Sequence, residues 1–390
     1  MAVEKIKKIA VIGAGSMGHG IAQSALLAGL RVYLYDNDKS NLQMGTNKIH
    51  AGLDKMASKG QISENDAQEF KNNLSPTTNL EEAVSNVDFV FEAVPEVLEI
   101  KQDVFQQLDE LTSKDVILAT NTSNMFISSI AERARCKERI VGLHFFIPVV
   151  LMKIVEVISG KDTSKETMQT AYDLCVKLNK IPVRVEKDSP GFIVNRINGP
   201  VRVYLGAVVD EEIAEPEEID ALMRYHGLPI GHFELSDYIG LDVVNFSAQY
   251  RKKVLHPDYA PNKKLLEKLE AKQFGKKTGK GYYDWSNGKP SIDIAKRTDK
   301  IKIEDLEIVK FNEAAKLIED EIADPQDIDT AMVLGTGYKA GPIEYVSKLD
   351  LNEVIDRLEY LSTRFNKEIL KPANILRKNP DVVFQSVKNI

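Results

Sequence analysis

Two ionisable residues stand in stretches that otherwise read as apolar strands: His144 in Gly142-Leu-His-Phe-Phe-Ile-Pro148, and Glu156 in Met152-Lys-Ile-Val-Glu-Val157. A buried carboxylate without a partner is costly. The two residues lie 12 positions apart (156 minus 144) with a proline-containing turn between them, so adjacent strands could bring them face to face. A carboxylate that orients an imidazole and offsets its charge once protonated makes a general base. The alternatives are a hydrogen-bonded core histidine at 144 and a carboxylate facing water at 156. A third segment, Ala119-Thr-Asn-Thr-Ser-Asn124, ends a strand on polar residues. Its Ser123 and Asn124 could equally form a turn or a helix cap. His19, His50, His226, His232 and His256 have no comparable carboxylate context.

These segments need a frame, and the first thirty-odd residues supply one. Lys8–Asp36 reads as strand, glycine turn (Gly13-Ala-Gly15-Ser16-Met17-Gly18), helix, strand and acid. Gly13 permits the tight turn, Gly15 lets backbone approach a pyrophosphate, and Gly18 lets the helix pack close. The helix N-terminus offers N–H groups and a positive dipole end to phosphates. Asp36 follows Gly18 by 18 residues (36 minus 18), where it can accept the hydrogens of a ribose 2′-OH and repel a 2′-phosphate. The alternative is a structural glycine turn in another α/β protein.

Strand and helix signals alternate through the first half, with strands expected at 7–13, 31–36, 87–94, 116–120, 140–146, 153–159 and 181–187. That alternation predicts a mostly parallel, doubly wound Rossmann-type sheet whose ligands sit at the carboxyl edge. A polar helical hairpin, about 39–72, interrupts it, with a capping signature at Ser63. Asp188-Ser-Pro190-Gly191 marks a boundary at which Asp188 or Ser189 could cap the next helix, with Pro190 in its first turn.

Beyond that boundary the chain reads helical and repeats itself. Glu212-Ile-Ala-Glu-Pro-Glu-Glu-Ile-Asp220 returns as Glu321-Ile-Ala-Asp-Pro-Gln-Asp-Ile-Asp329, offset by 109 residues (321 minus 212). Gly231-His-Phe-Glu234 is echoed by Gly341-Pro-Ile-Glu344. The expected organisation is an α/β domain over 1–186, then two tandem all-α domains over 187–285 and 305–390, joined by a linker at 286–304.

The 390 residues carry a net charge of −7, which argues against a general nucleic-acid binder. Cys136 and Cys175 have no metal-ligand spacing and are too few for a disulfide framework, so no metal and a reducing, cytoplasmic setting are expected. No apolar run of about 18 residues, the length that would span a bilayer, is present.

The segments NTSN (121–124), GLHFFIP (142–148), MKIVEVI (152–158), DSPGFIVNR (188–196) and FGKKTGKGYYDW (274–285) resemble, in order and spacing, the motifs of the L-3-hydroxyacyl-CoA dehydrogenases. The second helical copy resembles that family's C-terminal domain again, as in its longer members. The resemblance implies NAD as cofactor and an acyl-CoA as substrate. It implies His144 as catalytic base, Glu156 as its acidic partner, Ser123 at substrate and nicotinamide, and Asn195 polarising the reacting oxygen. Gly13, Gly15, Ser16, Met17, Gly18 and Asp36 would cradle the cofactor. Glu96 and Lys101 would lie near the nicotinamide ribose, with Lys277 reaching it from the second domain. Lys55 in the hairpin resembles a lysine that meets the coenzyme A phosphates, with Lys48 and Lys59 as neighbouring candidates. Two positions depart from the family pattern: Ile147, usually Asn, and Asn124, usually a second serine. The implied reaction is oxidation of an (S)-3-hydroxyacyl-CoA by a homodimer, or by a monomer whose second helical copy covers the first. The alternatives are a dehydrogenase of a free hydroxy acid (gulonate or carnitine type) and a non-catalytic NAD-binding protein.

Overall fold

A computed structural model describes residues 3–385 and divides them into two compact units, one ending at Phe192 and one beginning at Ile193. The first opens with β1 (Lys8–Ile12), α1 (Gly18–Leu27), β2 (Arg31–Tyr35), α2 (Lys39–Ser58), α3 (Glu64–Asn72), β3 (Leu74–Thr77) and α4 (Leu80–Val84). It continues with β4 (Phe89–Glu92), α5 (Leu98–Leu111), β5 (Ile117–Thr120), α6 (Ile127–Ile130), β6 (Ile140–Phe145), β7 (Ile154–Ile158), α7 (Lys165–Lys177) and β8 (Ile181–Val185).

The eight strands form one sheet in the order β3-β2-β1-β4-β5-β6-β7-β8. Every neighbouring pair is parallel except β6 and β7. β4, β5, β6 and β7 are buried along their whole length, which is why they read as continuous apolar runs. The order reverses between β1 and β4, the crevice where ligands of such sheets bind.

The sequence reading had no strand between 71 and 87. β3 (Leu-Ser-Pro-Thr) fills that gap at the sheet edge, where Pro76 need not donate to a further strand. The expected hairpin is α2 and α3. Asp38 caps α2 by accepting from Ser40 N and Asn41 N at 2.7 and 3.0 Å. Ser63 and Asp66 form a reciprocal capping box on α3.

Asp188 does not cap the helix that follows it. Its carboxylate accepts from Ile127 N and Ser128 N at 2.9 and 2.8 Å, capping α6, 60 residues earlier in the chain. The next helix starts only at Val194, because Gly191 and Phe192 take positive φ of 82° and 53° and break the path. Phe192 is buried, which over-determines a conformation a bulky residue rarely adopts.

The second unit is helical: α8 (Val194–Asp210), α9 (Pro216–Tyr225), α10 (His232–Ile239), α11 (Leu241–Val254), α12 (Lys263–Glu270), α13 (Ile303–Glu319), α14 (Pro325–Thr336), α15 (Pro342–Val346) and α16 (Leu351–Phe365). The repeated segments 212–234 and 321–344 fall inside this unit; residues 187–192, expected to open the first copy, belong instead to the first unit, and 386–390 lie outside the described residues. Their local geometry recurs. Asp220 accepts from Phe233 N and Glu234 N at 3.0 and 2.8 Å, while Asp329 accepts from Ile343 N and Glu344 N, both at 2.9 Å. Glu212 and Glu321 share a φ of 55°. A Cβ on Gly231 or Gly341 would meet the Asp side chain 2.2 Å away, so each tight approach needs glycine.

The segment read as a linker lies along the first copy. Thr298 N donates to Glu218 O at 3.3 Å, and Arg297 sits 4.0 Å over the Tyr225 ring. Just before it, Asp237 accepts from Tyr282 N, Tyr283 N and Trp285 Nε1 at 2.9 to 3.0 Å, anchoring the aromatic cluster. Asp305 of α13 accepts from Tyr204 Oη of α8 at 3.2 Å and from Arg357 at 2.7 and 2.8 Å, tying α13 and α16 to α8.

Candidate active site

The glycine turn takes the shape its residue types call for. Gly13 has a φ of 103°, and a Cβ there would fall 2.6 Å from Ala93 O. A Cβ on Gly18 would fall 1.7 Å from Gly13 O, so the first turn of α1 closes on the loop only without one. At Gly15, by contrast, nothing stands within 4 Å of where a Cβ would project. Met17, at the start of α1, makes no side-chain capping bond, so the helix end has no carboxylate or hydroxyl of its own to neutralise it. Ser16 lies between these two features on the loop. An open face at Gly15 beside an uncapped helix N-terminus fits the pyrophosphate of a dinucleotide. His19 Nδ1 lies 2.6 Å from Gly15 O, so this histidine buttresses the loop.

Asp36 is buried at the carboxyl end of β2. Its Oδ2 accepts from Ala14 N at 2.9 Å and its Oδ1 from Asp38 N at 3.0 Å. The acid is therefore locked to the glycine turn, with lone pairs left on both oxygens for a further donor.

Next to this turn lies a network that the sequence reading found only in part. Lys101 on α5 is 1% exposed and donates to Glu92 Oε1 at 2.8 Å. It also faces Glu96 Oε2 at 3.3 Å. Burial disfavours its charge, but Glu92 and then Glu96 more than reverse this, and the ammonium pKa is raised. Glu96 Oε1 in turn accepts from Thr122 Oγ1 at 2.6 Å and Ser123 N at 3.0 Å. Glu96, Lys101 and Ser123 are thus brought together. The hub is Glu92, wholly buried, which also accepts from Thr120 Oγ1 at 2.6 Å and Val94 N at 2.7 Å. Glu92 was overlooked, although its signal, a lone acid in an apolar strand, is the one that marked Glu156. Asn124 Nδ2 donates to Ser123 Oγ at 3.0 Å, and Asn121 Oδ1 accepts from Phe145 N at 3.0 Å, so this polar segment orders both itself and the end of β6.

His144 and Glu156 sit directly opposite each other in the antiparallel register of β6 and β7. Their side chains meet, with Nδ1 2.5 Å from Oε2. Glu156 is 0% exposed and His144 7%. The imidazole is flanked by Phe146 and Phe192, ring centroids 4.5 and 5.8 Å away. The geometry fixes Nδ1 as the donor to the carboxylate, leaving Nε2 as the nitrogen that can accept a proton. Ile147, two turn residues on, is 65% exposed.

The remaining site residues fall elsewhere. Asn195 stands in the first turn of α8, in the helical unit. Lys277, in the same unit, pairs with Asp242 Oδ2 at 2.5 Å. Lys48 and Lys55 are exposed on one face of α2, seven residues apart, and Lys59, also exposed, caps its C-terminal end. Among the described residues no cluster of three or more His, Cys, Asp and Glu side chains could hold a metal ion, and no helix is long and apolar enough to cross a membrane. Cys136 and Cys175 are free thiols, the latter's pKa pushed up by burial.

Comparison with known proteins bears on both units. Residues 8–189 match the family model for the 3-hydroxyacyl-CoA dehydrogenase NAD binding domain, and residues 191–285 and 307–381 match that for the 3-hydroxyacyl-CoA dehydrogenase C-terminal domain. The chain is 29% identical over 464 aligned positions to the 3-hydroxyadipyl-CoA dehydrogenase of Escherichia coli (strain K12), covering 96% of this chain and 97% of that one. It is 39% identical over 285 positions to the 3-hydroxybutyryl-CoA dehydrogenase of Clostridioides difficile, covering 72% of this chain and 99% of the relative. The crystal structure of 3-hydroxybutyryl-CoA dehydrogenase from Escherichia coli K12 superposes with a TM-score of 0.89 at 28% identity, covering 99% of this chain and all of the other.

Proposed function

Because the chain belongs to the 3-hydroxyacyl-CoA dehydrogenase family, we propose a division of labour among its own residues for the family's reaction. That reaction is the NAD-dependent oxidation of an (S)-3-hydroxyacyl-CoA to the 3-oxoacyl-CoA, and it is reversible. The observation that carries the proposal is the His144–Glu156 contact at the sheet's carboxyl side. His144 Nε2 takes the proton of the substrate 3-hydroxyl. Glu156 holds Nδ1–H and offsets the charge the ring acquires. Ser123, on the segment held by Glu96, and Asn195 of α8 orient the oxygen as it becomes a carbonyl. Bound NAD supplies the hydride acceptor. Gly13, Gly15, Ser16, Met17 and Gly18 hold its pyrophosphate, Asp36 a ribose, and Glu96, Lys101 and Lys277 its nicotinamide end. Lys55, with Lys48 on the same face of α2 and Lys59 at its end, meets the coenzyme A phosphates.

Steady-state assays separate this reading from its rivals. Acetoacetyl-CoA should be reduced with NADH, while free acetoacetate gives no comparable turnover. NADPH should be used at least about tenfold less efficiently, since Asp36 repels a 2′-phosphate. Turnover of free acetoacetate alone would restore the hydroxy-acid reading, and an NADPH preference would remove Asp36 from its role. No observation favours the hydroxy-acid or the non-catalytic reading.

The recurring Asp220 and Asp329 geometry and the two C-terminal-domain matches support a duplicated helical domain, with copies over 187–285 and 305–390 and a linker at 286–304. On this view the second copy covers the first within one chain, and the protein sediments as a monomer in the micromolar range. A tight homodimer at those concentrations would overturn the idea. A cytoplasmic setting, consistent with two free thiols, completes the reading.

A further inference from the structure

The helical unit contains an open-mouthed cavity of about 290 Å³ between α8, α10, α11 and the 258–265 segment, bordered on one side by Phe365 and Lys367 of the second copy. None of the residues assigned to catalysis or cofactor binding lines it. One part of its wall is apolar: Val203, Phe233, Val244, Leu265 and Phe365. Another is cationic, with Arg202 and Arg251 beside His232.

The charges around this cavity do not balance locally. Three acids line it, and each is committed. Asp210 accepts from Lys263 N at 2.9 and 3.1 Å, capping α12. Glu211 is paired with Arg364 at 2.6 Å. Asp258 accepts from Ile369 N at 3.0 Å and faces His256 at 3.4 Å. Arg202 has no hydrogen bond or ion pair among the described residues, and its charged neighbour is a second arginine. Burial, and then Arg251, lower its pKa to about 10. His232 is lowered to about 3, by burial and then by Arg202, so it is neutral and available as a hydrogen-bonding partner rather than a third positive charge. A half-buried guanidinium that faces a second arginine and has no paired anion is an unfavourable arrangement that a carboxylate ligand can relieve.

We propose that this cavity binds a small organic carboxylate, its carboxyl group paired with the Arg202 fork and its apolar body laid against Val203, Phe233, Val244, Leu265 and Phe365. The planar guanidinium matches a carboxylate two-on-two, and the volume lies near the lower end of ligand pockets, about 300 Å³. An inorganic anion would leave the apolar wall unused.

The test uses the full chain and three probes: hexanoate, 1-hexanol and inorganic phosphate. Hexanoate should give a saturable, one-to-one calorimetric isotherm and raise Tm. Neither 1-hexanol nor phosphate should do so at matched concentration. Arg202→Met should unfold at the same temperature as the parent or higher, since it removes Arg251's like-charged neighbour, and should lose the hexanoate response. Arg202→Lys keeps the charge but not the fork and should weaken binding by about tenfold or more. Absence of hexanoate binding overturns the proposal. So does phosphate binding in its place, or hexanoate binding that survives Arg202→Met or is unchanged in Arg202→Lys.

Discussion

His144→Gln is expected to lower kcat for acetoacetyl-CoA reduction by about 10²–10⁴-fold, the usual worth of a positioned general acid or base. Glutamine keeps a hydrogen-bonding group near Glu156 but cannot shuttle a proton. Glu156→Gln should cost at least about tenfold, because the amide oxygen still accepts from Nδ1–H while the charge that stabilises an imidazolium is gone. The two act as a unit across a 2.5 Å contact, so the double variant should be little worse than His144→Gln alone. NADH binding, followed by fluorescence titration, should be near the parent value in all three, since neither side chain touches the glycine turn. Unchanged turnover in both single variants would remove this pair from the chemistry. Loss of NADH binding along with turnover would reassign it to cofactor support.

The second large effect is on stability. Lys101→Met should destabilise the protein by about 3–5 kcal/mol, measured by chemical denaturation, because it strands Glu92. Glu92 is 0% exposed, and it loses the 2.8 Å contact with the ammonium while keeping only Thr120 and Val94 N. The sign of the pH dependence follows from the raised Lys101 pKa. Its stabilising contribution is complete below the ordinary lysine value of 10.5 and is lost only as pH climbs through the higher folded value. Pairing Lys101→Met with Glu92→Gln should recover part of the loss, since no buried charge then remains. A loss below about 1 kcal/mol, typical of an exposed pair, would show that the site is wetter than its burial implies.

How much of this was legible in the sequence depended on how local each signal is. Gly13–Asp36 was readable because each residue answers a constraint within one β-α-β unit. His144 and Glu156 were readable because polar residues in apolar strands demand an explanation. Glu92 gave the same signal but sits in a short strand whose neighbour, Lys101, looks like an ordinary helix charge. Asp188 was misread because its true partners, Ile127 N and Ser128 N, are brought to it only by the fold. β3 escaped because a four-residue edge strand with a central proline has no periodicity to detect. Arg202 escaped for the opposite reason: on a helix rich in small and apolar residues it reads as a solvated charge, and only the burial of its surroundings makes it unusual.

The cross-strand opposition of His144 and Glu156 also decides which parts of this protein are free to diverge. The pair is aligned by backbone ladder bonds, not by the turn that joins the strands. A register slip of one residue would send the two side chains to opposite faces, so β6 and β7 are held in register wherever the His144–Glu156 contact is kept. The turn is under no such obligation. Ile147, projecting into solvent from it, can be exchanged without disturbing either partner. The turn and the paired strands can therefore be revised on separate evolutionary schedules, the turn freely and the strands only together.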